Sequence, residues 1–260
     1  MFNLKSNWKK ITIISIISML ILIGGVILAN EEIRLYLLSE ISPSTFKRRV
    51  FVKLTNDDQD IYILGTIHDR HLTTNEYSLL HIKAVIKNLK PDLLLVESRP
   101  TQLEHDNIGD GPIEMPFANL TARSLNISVA GMDWWSINME EKTNNRRDDK
   151  MVSNILKEVP GYKKVLILTG FSHVGEFVPR LNEVGYKVVE FSDDRKKKLF
   201  SGIEEKLTFP TGMKHYIEKR IIIDKKTLES INDKKWKEKY QNVIKNRENV
   251  LKIINMVGEN

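Results

Sequence analysis

Hydrophobic positions along this 260-residue chain change their period several times, and each change predicts an element. Residues 11–29, ITIISIISMLILIGGVILA, run nineteen positions without a charge. A helix of that length spans about 28 Å, close to the hydrocarbon thickness of a bilayer, so it predicts a transmembrane helix. In RRVFVKLTNDDQDIYILGTIH, two β-rich runs flank the turn-forming NDDQD and predict a hairpin. In TTNEYSLLHIKAVIKNLK, Ile82, Val85, Ile86 and Leu89 recur at helical spacing. Thr73 and Glu76 are spaced as a capping box at the start of that helix, and Pro91 closes it. DLLLVE is a short apolar run of the kind that forms a buried parallel strand.

The alternation continues. Residues 98–114 read as a loop, MPFANLTARSLN as a helix and ISVAGMD as a strand. NMEEKTNNRRDDKMVSNILKEV predicts a polar helix with Val152, Ile155, Leu156 and Val159 on one face. KKVLILTG predicts a buried strand, VGEFVPRLNEVG a helix stopped by Gly185, and YKVVEF a last strand. From about residue 212 the pattern is helical, with residues 228–257 forming one long amphipathic segment. Strands alternating with helices imply right-handed crossovers. The fold class is therefore α/β, a largely parallel sheet with helices on both faces, plus the N-terminal transmembrane helix and a C-terminal helical tail. The expected organisation is a cytoplasmic stub and signal anchor at 1–30, a linker at 31–48, an α/β domain at 49–200, and a basic helical extension at 201–260 packed on or near it.

Charge sharpens this picture. Lys5, Lys9 and Lys10 precede the apolar run and Glu31 and Glu32 follow it, which keeps the N-terminus cytoplasmic and places the domain outside. Trp8 sits where an interfacial aromatic belongs. A cleaved signal peptide is the rival, but bulky Ile27 two residues before Ala29 makes a poor cleavage site. From Arg195 onward there are 17 Lys and Arg against 9 Asp and Glu, so the net charge of +6 resides in the tail. That excess reads as a solvated lysine-rich surface, and no nucleic-acid partner is expected outside the cell. The absence of cysteine excludes disulfides, zinc–thiolate sites, cysteine nucleophiles and a lipoprotein anchor.

Candidate chemistry falls where a parallel sheet places it, at the carboxyl ends of strands. His68, Glu97, Asp133 and His173 each follow one of four predicted strands. Gly65 and Gly170 stand three residues before the two histidines, which permits a sharp turn or a close approach. Two imidazoles and a carboxylate on one rim resemble a site for a divalent metal such as Zn, Mn, Fe or Co, with Glu97 or Asp133 acting as ligand or general base. Arg147 and Asp148 lie on the polar helix; Arg147 would clamp an anion or a developing oxyanion if that helix caps the sheet edge. Arg99 is a candidate for orienting a carboxylate, and Trp134 and Trp135 for walling a cleft. His71 reads as an exposed alternative ligand; His81, His105 and His215 read as surface residues. GFSHVG misses the spacing of a serine nucleophile elbow, and there is no His-Glu-x-x-His zinc motif.

LGTIHDRH, DLLLVES, AGMDWW, RRDDKM and LTGFSHVGEF follow one another in that order over about residues 60–178. On these motifs the chain resembles the TraB/GumN and TIKI group, within the broader erythromycin-esterase and ChaN-like superfamily. The resemblance implies an α/β fold with its site at the sheet edge. It implies a metal core of His68, Glu97 and His173, supported by Arg147 and Asp148, because TIKI-like members are metal-dependent proteases. Other branches cleave a macrolide ester without an obvious metal, bind haem, or act in pheromone shutdown. The basic tail has no counterpart in the family pattern. The leading expectation is a membrane-anchored, extracytoplasmic, metal-dependent hydrolase acting on a peptide or small molecule. The alternatives are a non-catalytic binder of a peptide signal or haem, and a metal-free esterase-like hydrolase using Glu97 and His173 as acid and base.

Overall fold

A computed structural model describes residues 25, 30–107, 109–135 and 144–259. The expected membrane anchor, apart from Gly25, lies outside these residues, as do Trp8, its flanking lysines and residues 138–143 of the polar segment. Among the described residues no helix is long and apolar enough to cross a membrane.

The chain forms two compact units, residues 1–46 and 47–260. In the first, α1 (Glu31–Ile41) and the start of α2 (Pro43–Arg49) occupy the stretch expected as a linker at 31–48. The Asn30 side chain accepts from the Ile33 N–H and caps α1.

The second unit is a mixed α/β structure around a six-stranded sheet. Its strands are β1 (Phe51–Thr55), β2 (Asp60–Thr66), β3 (Leu93–Val96), β4 (Ser128–Gly131), β5 (Lys164–Gly170) and β6 (Lys187–Val189), in the spatial order β4-β3-β5-β2-β1-β6. The four strands from β4 to β2 are mutually parallel, and β1 runs antiparallel to both of its neighbours. The β1–β2 hairpin forms as the NDDQD turn predicts.

Helix α3 (Leu79–Leu89) begins later than Thr73 implies. Its N-cap is Ser78, with His81 completing the capping box, so His81 is buried rather than on the surface. The stretch read as a loop at 98–114 contains α4 (Pro100–Asp106), with Pro100 in the first turn where its missing N–H costs nothing. Then come α5 (Glu114–Ser124), α6 (Asn144–Glu158), α7 (Phe171–Glu183) and α8 (Asp193–Leu199). The tail is two helices, α9 (Met213–Ser230) and α10 (Lys234–Val257), not one long segment. The break falls at Asp233, whose carboxylate accepts from the Trp236 N–H and starts α10.

Strand periodicity divides the core. Ile61, Ile63, Leu93, Leu95, Val165 and Ile167 face α6 and α7, meeting Met151, Ile155, Phe177 and Leu181. The alternate buried positions point to the opposite face, where α5 lies against β3 and β4, and α3 lies against α5. A sheet covered on both faces leaves its ends as the place where polar side chains meet.

Candidate functional site

The two Gly-x-x-His strands are neighbours. In the parallel β2–β5 register Gly65 pairs with Thr169 and Thr66 with Gly170, so the two motifs leave the sheet side by side. His68 turns off β2 in a left-handed conformation, φ +53°, opening a short 3₁₀ turn over His68–Leu72. His71 holds that turn. Its Nε2 accepts from the Ile67 N–H at 3.1 Å and its Nδ1 meets the Tyr77 carbonyl at 2.6 Å, which assigns the proton to Nδ1. His71 is therefore buried scaffolding and not an exposed spare ligand; burial lowers its pKa to about 4.

His68 itself lines a cleft of about 1110 Å³. Its Nδ1 lies 2.9 Å from Oε1 of Glu114, the first residue of α5, which is fully buried. Thr66 donates to the same oxygen at 2.7 Å. Burial alone would lower the His68 pKa, but the Glu114 carboxylate outweighs it and, with Glu97 and Asp69, raises it to about 9. The side chain is 49% exposed, so solvent screens part of that field.

Glu97 follows β3 and is buried at the centre of the rim. Oε2 accepts from the Gly170 N–H at 2.6 Å and the Thr169 hydroxyl at 3.0 Å. Oε1 accepts from Arg147 Nη2 at 2.8 Å. Burial would raise its pKa, yet His173, Arg147, His68 and the Gly170 N–H hold it well below the usual carboxylate range. Asp133, after β4, receives a two-pronged bond from Arg147 Nε and Nη2, both at 2.9 Å. His173 lies in the first turn of α7. Its Nδ1 meets Asp148 Oδ1 at 2.5 Å, while its Nε2 lies 3.3 Å from Arg147 Nη1 and 3.7 Å from Glu97 Oε1. Burial lowers the His173 pKa, but the Asp148 bond and the Glu97 charge carry it above the ordinary value.

All six residues expected at the site, His68, Glu97, Asp133, Arg147, Asp148 and His173, thus meet on one rim. They do not form the anticipated ligand set. The Arg147 guanidinium contacts Glu97 Oε1 and His173 Nε2, the atoms a metal ion would need, and both Nδ1 atoms are committed to carboxylates. Among the described residues no group of three His, Asp or Glu side chains is arranged to hold a metal. The donors therefore do not fit a divalent ion in this arrangement. Arg147 is also less available than an anion clamp should be, since three of its bonds go to Asp133 and Glu97.

Gly170 shows why its motif needs glycine. A Cβ there would lie 2.9 Å from His68 Cε1, 3.0 Å from its Nε2 and 3.5 Å from Glu97 Oε2. Gly65 answers a packing need instead, with Val50 Cβ at 2.8 Å and Phe171 Cα at 3.0 Å from the same hypothetical atom.

The outer wall comes from parts of the chain with no motif. Trp135 stacks on Trp236 of α10, centroids 6.3 Å apart and planes within 11°. Arg99 lies 4.0 Å over the Trp135 ring and binds Asp110, so it orients a carboxylate other than Glu97. Trp134 packs under Arg146 instead of facing the cleft. Asn246 of α10 donates to Asp69, beside His68, at 2.8 Å. Glu114, Trp236, Tyr240 and Asn246 are site residues that sequence reasoning misses. The one signal for Glu114 is a carboxylate opening a helix whose next five residues are all buried.

No protein-family model matches the chain, and neither a curated protein nor a solved structure does, so the TraB/GumN-like resemblance rests on the five motifs and their order.

Proposed function

We propose that the chain is a TraB/GumN-like hydrolase of ester or amide bonds that works by general acid–base chemistry centred on His68. The observation that carries this is the His68–Glu114 pair at the head of the cleft: a partly exposed imidazole whose Nδ1 is anchored to a fully buried carboxylate. Anchoring fixes the tautomer and supports the imidazolium that forms when the ring accepts a proton. In this reading His68 takes a proton from water as the water oxygen bonds to the acyl carbon, then returns it to the departing alkoxide or amine. The ring is neutral only as pH rises past its raised pKa of about 9, so turnover climbs toward alkaline pH. Arg147 lines the same cleft, and Nη1, which bonds His173 and no carboxylate, has a second N–H that in this reading meets the charge developing on the acyl oxygen. Glu97, Asp133, Asp148 and His173 hold Arg147 in place. With the anchor expected at residues 11–29, the reaction takes place on the extracytoplasmic side of a membrane.

The test is hydrolysis of a panel of neutral aryl esters and anilides by the full-length chain, with His68→Ala and His68→Asn alongside. Turnover should fall at least about 10²-fold in both variants, the usual contribution of a general base, and survive exhaustive chelation. Turnover that His68→Ala leaves intact, or that chelation abolishes, overturns the assignment. A non-catalytic binding cleft is the competing reading, favoured by Glu97 and Asp133 having every oxygen committed to protein donors. It predicts saturable binding with no product.

A further inference from the structure

The C-terminal hairpin of α9 and α10 is built into the cleft and not appended to the domain. Asn246 reaches Asp69 beside His68, and Arg247 pairs with Asp224 of α9 at 3.1 Å while donating to the Asp110 carbonyl. The hairpin contributes Trp236 and Tyr240 to the cleft wall, facing Trp135 from the sheet edge. Trp135 and Trp236 are half-buried, and both line the cleft.

The buried charges around this cleft are already matched, while Asp69, Asp233, Lys235 and Lys239 line it as exposed charges. Arg147 is held by Glu97 and Asp133, Arg220 and Arg247 by Asp224, Arg99 by Asp110, and His68 by Glu114. Asp69 accepts from Asn246, and Asp233 is spent on the α10 cap. Lys239 folds over the Trp236 ring at 4.6 Å. A charged ligand reaching the buried part of the cleft would draw an ion away from its partner and leave the other charge buried and unpaired, which is strongly unfavourable. A pairing with the exposed lysines or aspartates is worth too little in water to offset that. A neutral molecule avoids that penalty and gains from the aromatic wall.

We propose that the cleft selects an electrically neutral, largely apolar small molecule carrying a planar ring, and that Trp135, Trp236 and Tyr240 are its specificity surface. This deepens the hydrolase reading, because it takes the same cleft as the substrate site. It is tested by binding alone, so that the two can fail separately. The probes share one ring and differ in charge: 2-naphthamide, 2-naphthoate and 2-naphthylmethylammonium. Their binding to the full-length chain is measured by calorimetry, with Trp236→Ala, Tyr240→Leu and Trp236→Phe as variants.

The amide should bind at least tenfold more tightly than either ion. Trp236→Ala and Tyr240→Leu should each weaken it by about three- to tenfold, the value of one aromatic contact. Trp236→Phe keeps a ring and should stay within about twofold, which separates lost recognition from lost folding. Either ion matching the amide, or both ring-removing variants binding the amide as the wild type does, overturns the proposal. Ring-selective binding without turnover of any ester or anilide ends the hydrolase reading and leaves this inference standing. Turnover without ring or charge preference does the reverse.

Discussion

Replacing Gly170 by alanine asks whether the second Gly-x-x-His exists to seat the first histidine. The new Cβ would lie 2.9 Å from His68 Cε1 and 3.0 Å from Nε2. Carbon contacts are most favourable at about 3.5–4.0 Å, so the ring must retreat by roughly 0.5–1 Å. The backbone tolerates the change, because Gly170 has φ −54° and keeps its N–H bond to Glu97. The half-exposed ring can swing outward, so stability should fall by no more than about 1 kcal/mol, or about 2–4 °C in Tm. Catalysis should suffer far more, since a misplacement on the order of 1 Å costs about 10²-fold. The assays are kcat/KM on an aryl ester, thermal unfolding, and NMR titration of the His68 ring. Gly65→Ala is the paired control. Its Cβ would meet Val50 Cβ at 2.8 Å and the Phe171 backbone at 3.0 Å, neither of which yields easily. Overpacking of that kind costs about 1–3 kcal/mol, so Gly65→Ala should lose stability first. A Gly170→Ala protein with wild-type kcat/KM and an unchanged His68 titration would refute the idea that this glycine seats the imidazole.

Glu114→Gln should drop the His68 pKa from about 9 toward its ordinary 6.5, seen as a matching move in the ring's NMR titration and in the ascending limb of kcat/KM against pH. Because the folded pKa lies above the unfolded one, the pair's contribution to stability is complete below pH 6.5 and fades as pH climbs through 9; the variant should lose that dependence in denaturant melts. Arg147→Met should strip Glu97 and Asp133 of their cation and cost about 3–5 kcal/mol, a Tm fall of about 10 °C. Arg147→Lys should recover only part of that, since one ammonium cannot reproduce the fork; a melt at the wild-type temperature for either variant would refute the network. His71 behaves oppositely to His68: its pKa of about 4 lies below the unfolded value, so its contribution is present above pH 6.5 and lost as pH falls through 4. His71→Phe, which leaves the Ile67 N–H without an acceptor, should cost about 1–3 kcal/mol at neutral pH in urea melts.

The parallel strands and the side chains at their ends were legible because both follow from local pattern. DLLLVE and KKVLILTG are apolar runs bounded by polar residues, and a parallel sheet sends the residue after each strand to one edge. The histidines divided differently. His68, His71 and His81 occur within fourteen positions, and only burial distinguishes their roles. His71 became scaffolding because the 3₁₀ turn needed an acceptor for the Ile67 N–H and a donor for the Tyr77 carbonyl. His81 became the N3 partner of Ser78 in a capping box that sequence spacing assigned to Thr73 and Glu76. Such pairings depend on where the chain turns, and hydrophobic period does not encode that.

Glu114 was invisible for a related reason. It lies 46 residues from His68, and its carboxylate looks on paper like any first-turn acid placed to suit a helix dipole. It becomes distinctive only once α5 is laid against β3 and β4, which carries that first turn to the end of β2. The same argument applies to the tail. Its lysines dominate the charge and are mostly exposed, while Trp236, Tyr240 and Asn246 recur at i, i+4 and i+10 along one side of α10. That stripe reads in one dimension as ordinary amphipathicity. What makes it part of a site is the break at Asp233, which folds α10 back along α9 and turns the stripe toward Trp135 and Asp69. Residues 60–178 therefore supply the polar rim, but the cleft above it is completed by a segment that a reading of the motifs alone would leave out.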